Sequence, residues 1–157
     1  MNNYSIYQVH HRDNLSANAL AQIYASIRGL RKELRDFWWS RKNHFDGDIV
    51  MLIALSNEDG QVSGVSGAAI TKDRRLTFNS MICVGENHRN KGLGNYLLAS
   101  TLSVMDVRYP DATYRCFFGK KNEAAIKICQ HNNLELYSEG VSKYNVEYVE
   151  YRKPRCS

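Results

Sequence analysis

Apolar residues recur along this chain with two periods, and the places where one period gives way to the other outline its elements. Ser5 to Val9 has the length of a short strand. Asn14 or Ser16 then suits a helix N-cap, and Leu20, Ile23, Tyr24, Ile27, Leu30 and Leu34 follow at helical spacing. That helix is expected to run on, after a break near Gly29, into Phe37, Trp38 and Trp39, with Asp46-Gly47-Asp48 as a turn behind it. Val50 to Leu55 is a nearly continuous apolar run of strand length, and Asn57-Glu58-Asp59-Gly60 reads as a hairpin loop into a second run, Val62 to Ile70. Lys72-Asp73-Arg74 turns into a third, Leu76 to Val84, in which Leu76, Phe78, Ser80, Ile82 and Val84 share one face.

Past Val84 the chain becomes basic and glycine-punctuated, from Gly85 through Arg89 and Lys91 to Gly94. This stretch opens a helix that turns Leu93, Leu97, Thr101 and Val104 toward the sheet and stops before Pro110. Thr113 to Phe118 is the returning strand of a β-α-β crossover. Asn122 starts a second helix carrying Ala125, Ile126, Ile128 and Cys129. Leu134 to Ser138 and the alternating stretch Tyr144 to Tyr151 complete the order β, helices, βββ, α, β, α, ββ.

The 157 residues suffice for one ordinary domain, residues 1–157, with a real core. No Ser/Gly-rich linker, low-complexity tract or internal repeat divides it. The start, Met-Asn-Asn-Tyr-Ser-Ile-Tyr, lacks the basic flank and apolar centre of a signal peptide, and no apolar run approaches membrane-spanning length. Cys83, Cys116, Cys129 and Cys156 show no Cys-x-x-Cys spacing, and the first three fall in apolar strand or helix patterns, as reduced buried thiols do. His10, His11, His44 and His131 have no metal-ligand spacing, so no metal site is expected. A cytoplasmic protein without disulfides, structural zinc or a membrane segment is the expectation. The net charge of +5 suits an anionic partner. Its densest cluster, Arg28, Arg31, Lys32, Arg35, Arg41 and Lys42, is mixed with Glu33 and Asp36, which favours a solvated helix face over an RNA-binding patch.

The turn from Arg89 to Asn95 holds the candidate chemistry. Gly92 and Gly94 let the backbone approach a ligand closely, N–H groups at a helix start point outward with the helix dipole behind them, and Arg89 and Lys91 add positive charge. Together these make a phosphate cradle. A Gly-x-Gly turn also occurs as an ordinary connection and in dinucleotide sites. A dinucleotide turn, however, belongs near the first strand of its unit, with an acidic residue about 20 residues on. Here the turn lies past mid-chain, and the next strand ends in Phe-Phe-Gly-Lys-Lys.

Arg89-x-x-Gly92-x-Gly94 resembles the acyl-CoA pyrophosphate loop of the GCN5-related N-acetyltransferases. Asn122-x-x-Ala125-x-x-x-Cys129-x-x-x-Asn133-Leu134 resembles a second motif of that family, Asn-x-x-Ala-x-x-x-Tyr-x-x-x-Gly-Phe. Cys129 departs from the tyrosine, Asn133 from the glycine and Leu134 from the phenylalanine. Asn133 is a mild change, because asparagine accepts the left-handed cap conformation. Glu86 and Asn90 stand where proline and glycine are frequent, without removing any backbone donor the phosphates need. The order of elements matches the family across nearly the whole chain.

The resemblance implies an α/β fold with a mixed, mostly antiparallel sheet flanked by helices, and acetyl-CoA as co-substrate, whose phosphates answer the basic charge without nucleic acid. It implies that backbone groups of Ile82 and Val84 pair with the pantetheine arm as if it were another strand, the Val84 N–H polarising the thioester carbonyl. Arg89, Asn90, Lys91, Gly92, Leu93, Gly94 and Asn95 would hold the pyrophosphate. Asn122 would contact the pantetheine arm or cap its own helix. Cys129 takes the place of the tyrosine that protonates the departing thiolate in many relatives. With a thiol pKa of about 8.5 it is the candidate catalytic residue, the alternative being a small core residue.

No carboxylate lies within Leu76 to Val84, which leaves a water ordered by Thr77 or Asn79, His88, Glu147 or Glu150 to move the amine's proton. His88, inside the loop, suits loop structure or a phosphate contact better. Relatives build the acceptor pocket from their first helices and last strands, here Phe37, Trp38, Trp39, Phe45, Asp46, Asp48, Tyr137, Tyr144 and Tyr148. Aromatic walls with carboxylates suit a cationic amine, although the Phe-Trp-Trp run serves equally as core. The implied activity is acetyl transfer from acetyl-CoA to a primary amine, of a small molecule or of a protein lysine or N-terminus, by direct attack. Acetylation of aminoacyl-tRNA, as in the family's toxin branch, and a non-catalytic CoA-binding or protein-interaction module stand as alternatives. A homodimer is compatible with each.

Overall fold

Asn57 to Gly60 is too short to do anything but reverse the chain, and the hairpin it closes sets the pattern for the sheet. Gly60 takes the left-handed conformation the reversal needs, with φ 71°. In a computed structural model of the chain, which describes residues 3–9, 49–70 and 77–153, strand β2 (Ile49–Ser56) pairs antiparallel with β3 (Val62–Ile70) on one side and β1 (Tyr4–Val9) on the other. β3 pairs antiparallel with β4 (Thr77–Val84). Helix α1 (Leu93–Arg108) crosses over to β5 (Thr113–Gly119), which lies parallel to β4. Helix α2 (Glu123–His131) leads to β6 (Glu135–Val141) and β7 (Glu147–Arg152). The strand order is β1-β2-β3-β4-β5-β7-β6, and β4–β5 is the one parallel pair among the described strands. The mixed, mostly antiparallel sheet is as expected. The expected helix through Leu34, Phe37 to Trp39, Phe45, Asp46, Asp48, the Lys72-Asp73-Arg74 turn, His10, His11, His44 and Cys156 lie outside the described residues.

Packing decides which positions of each element face inward. On the α1 side, Tyr4, Leu52 and Ala54 pack under Leu93 and Leu97, while Ala68, Tyr114, Cys116, Val149 and Tyr151 pack under Leu98, Leu102, Met105, Cys129 and Leu134. The sequence pattern assigns Leu93, Leu97, Thr101 and Val104 to this face. The structure adds the row Leu98, Leu102 and Met105 and leaves Val104 half-buried. The reason is that α1 also covers the part of the core built by β5, β7 and α2, so its apolar stripe is wider than one sheet contact requires. Leu97 and Leu98 are completely buried, each side chain worth roughly 1.5–3 kcal/mol of transfer free energy. α1 sits close on β3, since a Cβ on Gly64 would stand 3.0 Å from Leu97 Cδ1 and 3.1 Å from the Cys83 carbonyl oxygen. The buried Ser66 and Thr101 hydroxyls bond to each other and lie 3.2 and 2.9 Å from the Leu97 carbonyl, so that one donates to that carbonyl and the other to its partner hydroxyl.

The last two strands start later than the sequence pattern suggests. Leu134 is a core residue, not a strand start, and Tyr144 belongs to the turn before β7. Asn145 has φ 60°, the Ser142 N–H donates to the Val146 carbonyl at 2.9 Å, and the Ser142 hydroxyl accepts from the N–H groups of Tyr144 and Val146. Tyr144 and Val146 therefore continue the alternation in sequence but stand exposed. No described helix is long and apolar enough to cross a membrane.

Candidate functional site

A sheet edge normally lies at a sheet's border, but here one opens in the middle. β4 and β5 pair only at Thr77–Thr113, Phe78–Tyr114 and Asn79–Arg115, and then part. From Ser80 to Val84 the side of β4 turned toward β5 carries no strand, while its other side stays paired with β3 up to Gly64–Val84. Backbone groups alternate along a strand, and the Gly85 N–H donates to Ser63 of β3 at 2.8 Å. With no register shift in between, Cys83 also points toward β3, so the N–H and C=O groups of Ile82 and Val84 point into the opening. These are the two residues singled out for pantetheine pairing.

The opening runs into the basic turn. Glu86–His88 is a single 3-10 turn, after which Asn90 (φ 60°) and Gly92 (φ 81°) both take the left-handed conformation and bring the chain into α1. Gly92 is the N-cap and, having no side chain, leaves the N–H groups of Leu93, Gly94 and Asn95 without a cap partner. No acidic residue stands in that first turn. Arg89, Asn90, Lys91 and Gly92 are exposed, whereas Leu93 is buried and anchors the helix. Gly94 faces α2, where a Cβ would come within 3.1 Å of Ile128 Cδ1 and 3.5 Å of Val84 Cγ2. Arg89 bends back so that its Nε–H donates to the Val84 carbonyl at 3.1 Å, which leaves the rest of the guanidinium at the mouth of the opening. The donor set, cationic and rich in unbonded N–H groups, fits a diphosphate.

Two asparagines are used inside the protein. The Asn95 Oδ1 accepts from Asn132 Nδ2 at 2.8 Å, which ties α1 to the end of α2, so its N–H rather than its side chain faces a ligand. The Asn122 Oδ1 accepts from the Ala125 N–H at 3.2 Å, which makes Asn122 the N-cap of α2. At the other end of α2, Asn133 has φ 62°, its N–H donates to Gln130 and the Leu134 N–H donates to Cys129, a Schellman closure built on asparagine in place of glycine.

Cys129 is 2 % exposed and lies in the core with Cys116 and Leu134. A hydrogen bond with Cys116, together with burial, holds its thiol far above the usual range. Cys83, on the opposite sheet face, is pushed up to about 11 by burial, with the Arg89 charge pulling slightly the other way. His88 shares a 3.0 Å hydrogen bond with the Tyr4 hydroxyl through Nδ1.

The side of the opening toward α1 and α2 is filled by Ile82, Phe118, Ile126 and Ile128 against the core. The other face of β5 and β7 carries a group that spacing alone did not assemble: Arg115, Phe117, Tyr148, Glu150 and Arg152. Glu150 is 3 % exposed, accepts from Arg152 Nε at 2.8 Å and lies 3.9 Å from Arg115 Nη1. Phe117 meets Tyr148 edge to face at 6.0 Å, and the Arg152 guanidinium lies 3.6 Å above the Tyr137 ring. Of the tyrosines named for an acceptor pocket, Tyr137 and Tyr148 belong here, and Tyr144 stands apart at the β6–β7 turn, under Lys143. The period-two run Tyr148, Glu150, Arg152 was the available signal, but the pairing of Glu150 with Phe117 on β5 was not.

No family model and no curated protein sequence matches this chain. Solved structures do. Ribosomal-protein-S5-alanine acetyltransferase from Vibrio fischeri superposes with a TM-score of 0.76 at 11% identity, over 98% of this chain and 93% of that one. Spermidine/spermine N-acetyltransferase SpeG from Vibrio cholerae gives 0.71 at 10% identity, over 96% and 92%. An acetyltransferase of the GNAT family from Streptococcus pneumoniae gives 0.67 at 16% identity, over 95% and 99%. With its parted parallel pair, glycine turn and strand order all in place, the chain has the fold of the GCN5-related N-acetyltransferases.

Proposed function

We propose that this protein is an acetyl-CoA-dependent N-acetyltransferase that acts on a primary amine by direct attack. The observation that carries the reading is the unpaired edge of β4, whose outward backbone groups at Ile82 and Val84 lead straight to the open N-terminus of α1. A pantetheine arm is an extended chain with amides and suits that edge. A pyrophosphate suits the N–H groups of residues 93–95 with Arg89 and Lys91 beside them. The acceptor amine approaches from the face of Phe117, Tyr148 and Glu150, because α1 and α2 close the other. Its nitrogen adds to the thioester carbonyl carbon while the Val84 N–H stabilises the charge growing on oxygen. The C–S bond then breaks, the electron pair leaves with the thiolate, and the amine's proton passes to solvent or to that sulfur.

In this reading Cys129 packs and does not donate a proton. A thiol bonded to Cys116 in the core, and harder to ionise than an ordinary one, is a poor acid for a thiolate leaving group. Cys129→Ser keeps the volume nearly constant and is expected to hold kcat within about threefold, whereas losing a general acid costs about 10²-fold or more. A fall of that larger size, at an unchanged melting temperature, would return Cys129 to the chemistry.

The amine itself is open to one experiment. Two proteins of this fold carry different acceptors in their names, a ribosomal-protein alanine and spermidine/spermine, so fold alone does not choose. Labelled acetyl-CoA offered with polyamines, amino sugars, a lysine peptide mixture, peptides with free N-termini and charged tRNA is expected to label one amine class. Label on aminoacyl-tRNA would select the toxin-like alternative. Tight CoA binding without transfer to any class would select the non-catalytic module, and failure to bind CoA would overturn the proposal.

A further inference from the structure

We infer that Tyr4 and His88 form a positioning pair through which the first strand holds the phosphate-binding turn in shape, and so sets the affinity for the diphosphate end of the ligand. The inference rests on the acetyl-CoA reading above. The Tyr4 hydroxyl and His88 Nδ1 are 3.0 Å apart across 84 residues of sequence. Their rings meet edge to face, with centroids 5.6 Å apart and planes at 74°. Tyr4 is 8 % exposed and packs with Leu52, Ala54, Leu93 and Leu97, the residues that seat the first turns of α1. One side chain thus touches both the core beneath the helix start and the turn in front of it.

The turn needs such an anchor. Its front is the 3-10 turn ending at His88, whose N–H donates to the Gly85 carbonyl at 2.9 Å. Its rear is Leu93, 1 % exposed in the core. Between them Asn90, Lys91 and Gly92 are exposed, two of them in the left-handed conformation. The Arg89 N–H bond to Glu86 is long, at 3.5 Å. The Arg89 side chain is fixed to Val84, but that bond sits on β4 and does not reach β1. Without the His88 contact the front of the segment would keep its bonds to β4 and β3 but lose its tie to β1 and the core beneath α1, and a ligand would have to order more of it on binding. A tyrosine hydroxyl donates and accepts, so the bond survives whichever imidazole nitrogen carries the proton.

Tyr4→Phe removes one oxygen and keeps the ring. It is expected to weaken CoA about tenfold, the scale of one hydrogen bond, and His88→Leu is expected to do the same. Pantetheine, which lacks the diphosphate, should bind both variants as it binds the unaltered protein, with CoA followed by isothermal titration and pantetheine by NMR titration. His88→Asn places an amide oxygen near the position of Nδ1 and should keep most of the CoA affinity, unless Tyr4→Phe is added. Equal losses for CoA and pantetheine would mean general damage and overturn the inference, as would unchanged CoA affinity in Tyr4→Phe. If the unaltered protein binds pantetheine or neither ligand, but not CoA, the acetyl-CoA reading itself falls and the pair's role with it.

Discussion

Val84→Pro is expected to lower kcat by about 10²- to 10³-fold while leaving the sheet standing, because it deletes one backbone N–H and that N–H faces the opening. Removing one donor from an oxyanion site costs roughly that much. Proline is tolerated where the missing N–H would have faced away from a neighbouring strand, and at Val84 the bonds to β3 come from the residues on either side, beginning with the Gly85 N–H to Ser63. The Val84 carbonyl, which Arg89 holds, is kept. The change also removes a side chain packed near Leu93 and Leu97 and draws φ toward about −65°. Val84→Ala is the control, since it loses the packing and retains the N–H, and its kcat should stay within a few-fold. Turnover with the acceptor that the labelling experiment identifies, alongside circular dichroism and melting temperature, decides the matter. A proline variant as fast as the alanine variant would remove the Val84 N–H from the reaction.

Gly92→Val is expected to abolish measurable CoA binding or weaken it by about 10²-fold or more. Position 92 has φ 81°, where a β-branched residue costs on the order of 1–3 kcal/mol. The turn relieves that strain by changing course, and the N–H groups of residues 93–95 then no longer converge with the edge at Val84. Two hydrogen bonds to a charged group, at roughly 1.5–3 kcal/mol each, account for the size of the loss. The ligand-free protein should melt only a few degrees lower, and thermal stabilisation by CoA should vanish. Gly94→Ala makes the comparison sharp. Its new Cβ meets the flexible end of Ile128 at 3.1 Å, so it asks for a small side-chain shift and no change of backbone. Binding is expected to survive there, and equal affinity in Gly92→Val and the unaltered protein would take the diphosphate away from this turn.

Much of the site was legible because it is local. Asn133 in place of a capping glycine, and Asn122 as a helix cap, one of its two expected roles, follow from what one residue's side chain allows its own backbone to do, whereas the left-handed φ of Gly92 comes from the structure. The turn from β4 into α1 was read from its glycine spacing for the same reason. The last strands show the limit. Tyr144 and Val146 carry on the alternation of β7 but lie in the turn, because Ser142 and Asn145 reverse the chain there. Periodicity registers apolar positions and is blind to a turn that happens to be apolar.

The amino-acid pattern by itself determined the order of the described elements, the place of the glycine turn between β4 and α1 and the cap at Asn133, since each depends on neighbours within a few positions. Only the tertiary structure decided that β4 and β5 part after Asn79 and that β7 rather than β6 lies beside β5. From that order alone come the buried Glu150 between Arg115 and Arg152, and Phe117 beside Tyr148. Packing of α2 on β5 turned Cys129 from an ordinary thiol into one bonded to Cys116, and packing of β1 under α1 brought Tyr4 to His88. The physical reason is the range of the interaction: dihedral preference acts residue by residue, whereas which distant surfaces exclude water together is settled by the whole core at once.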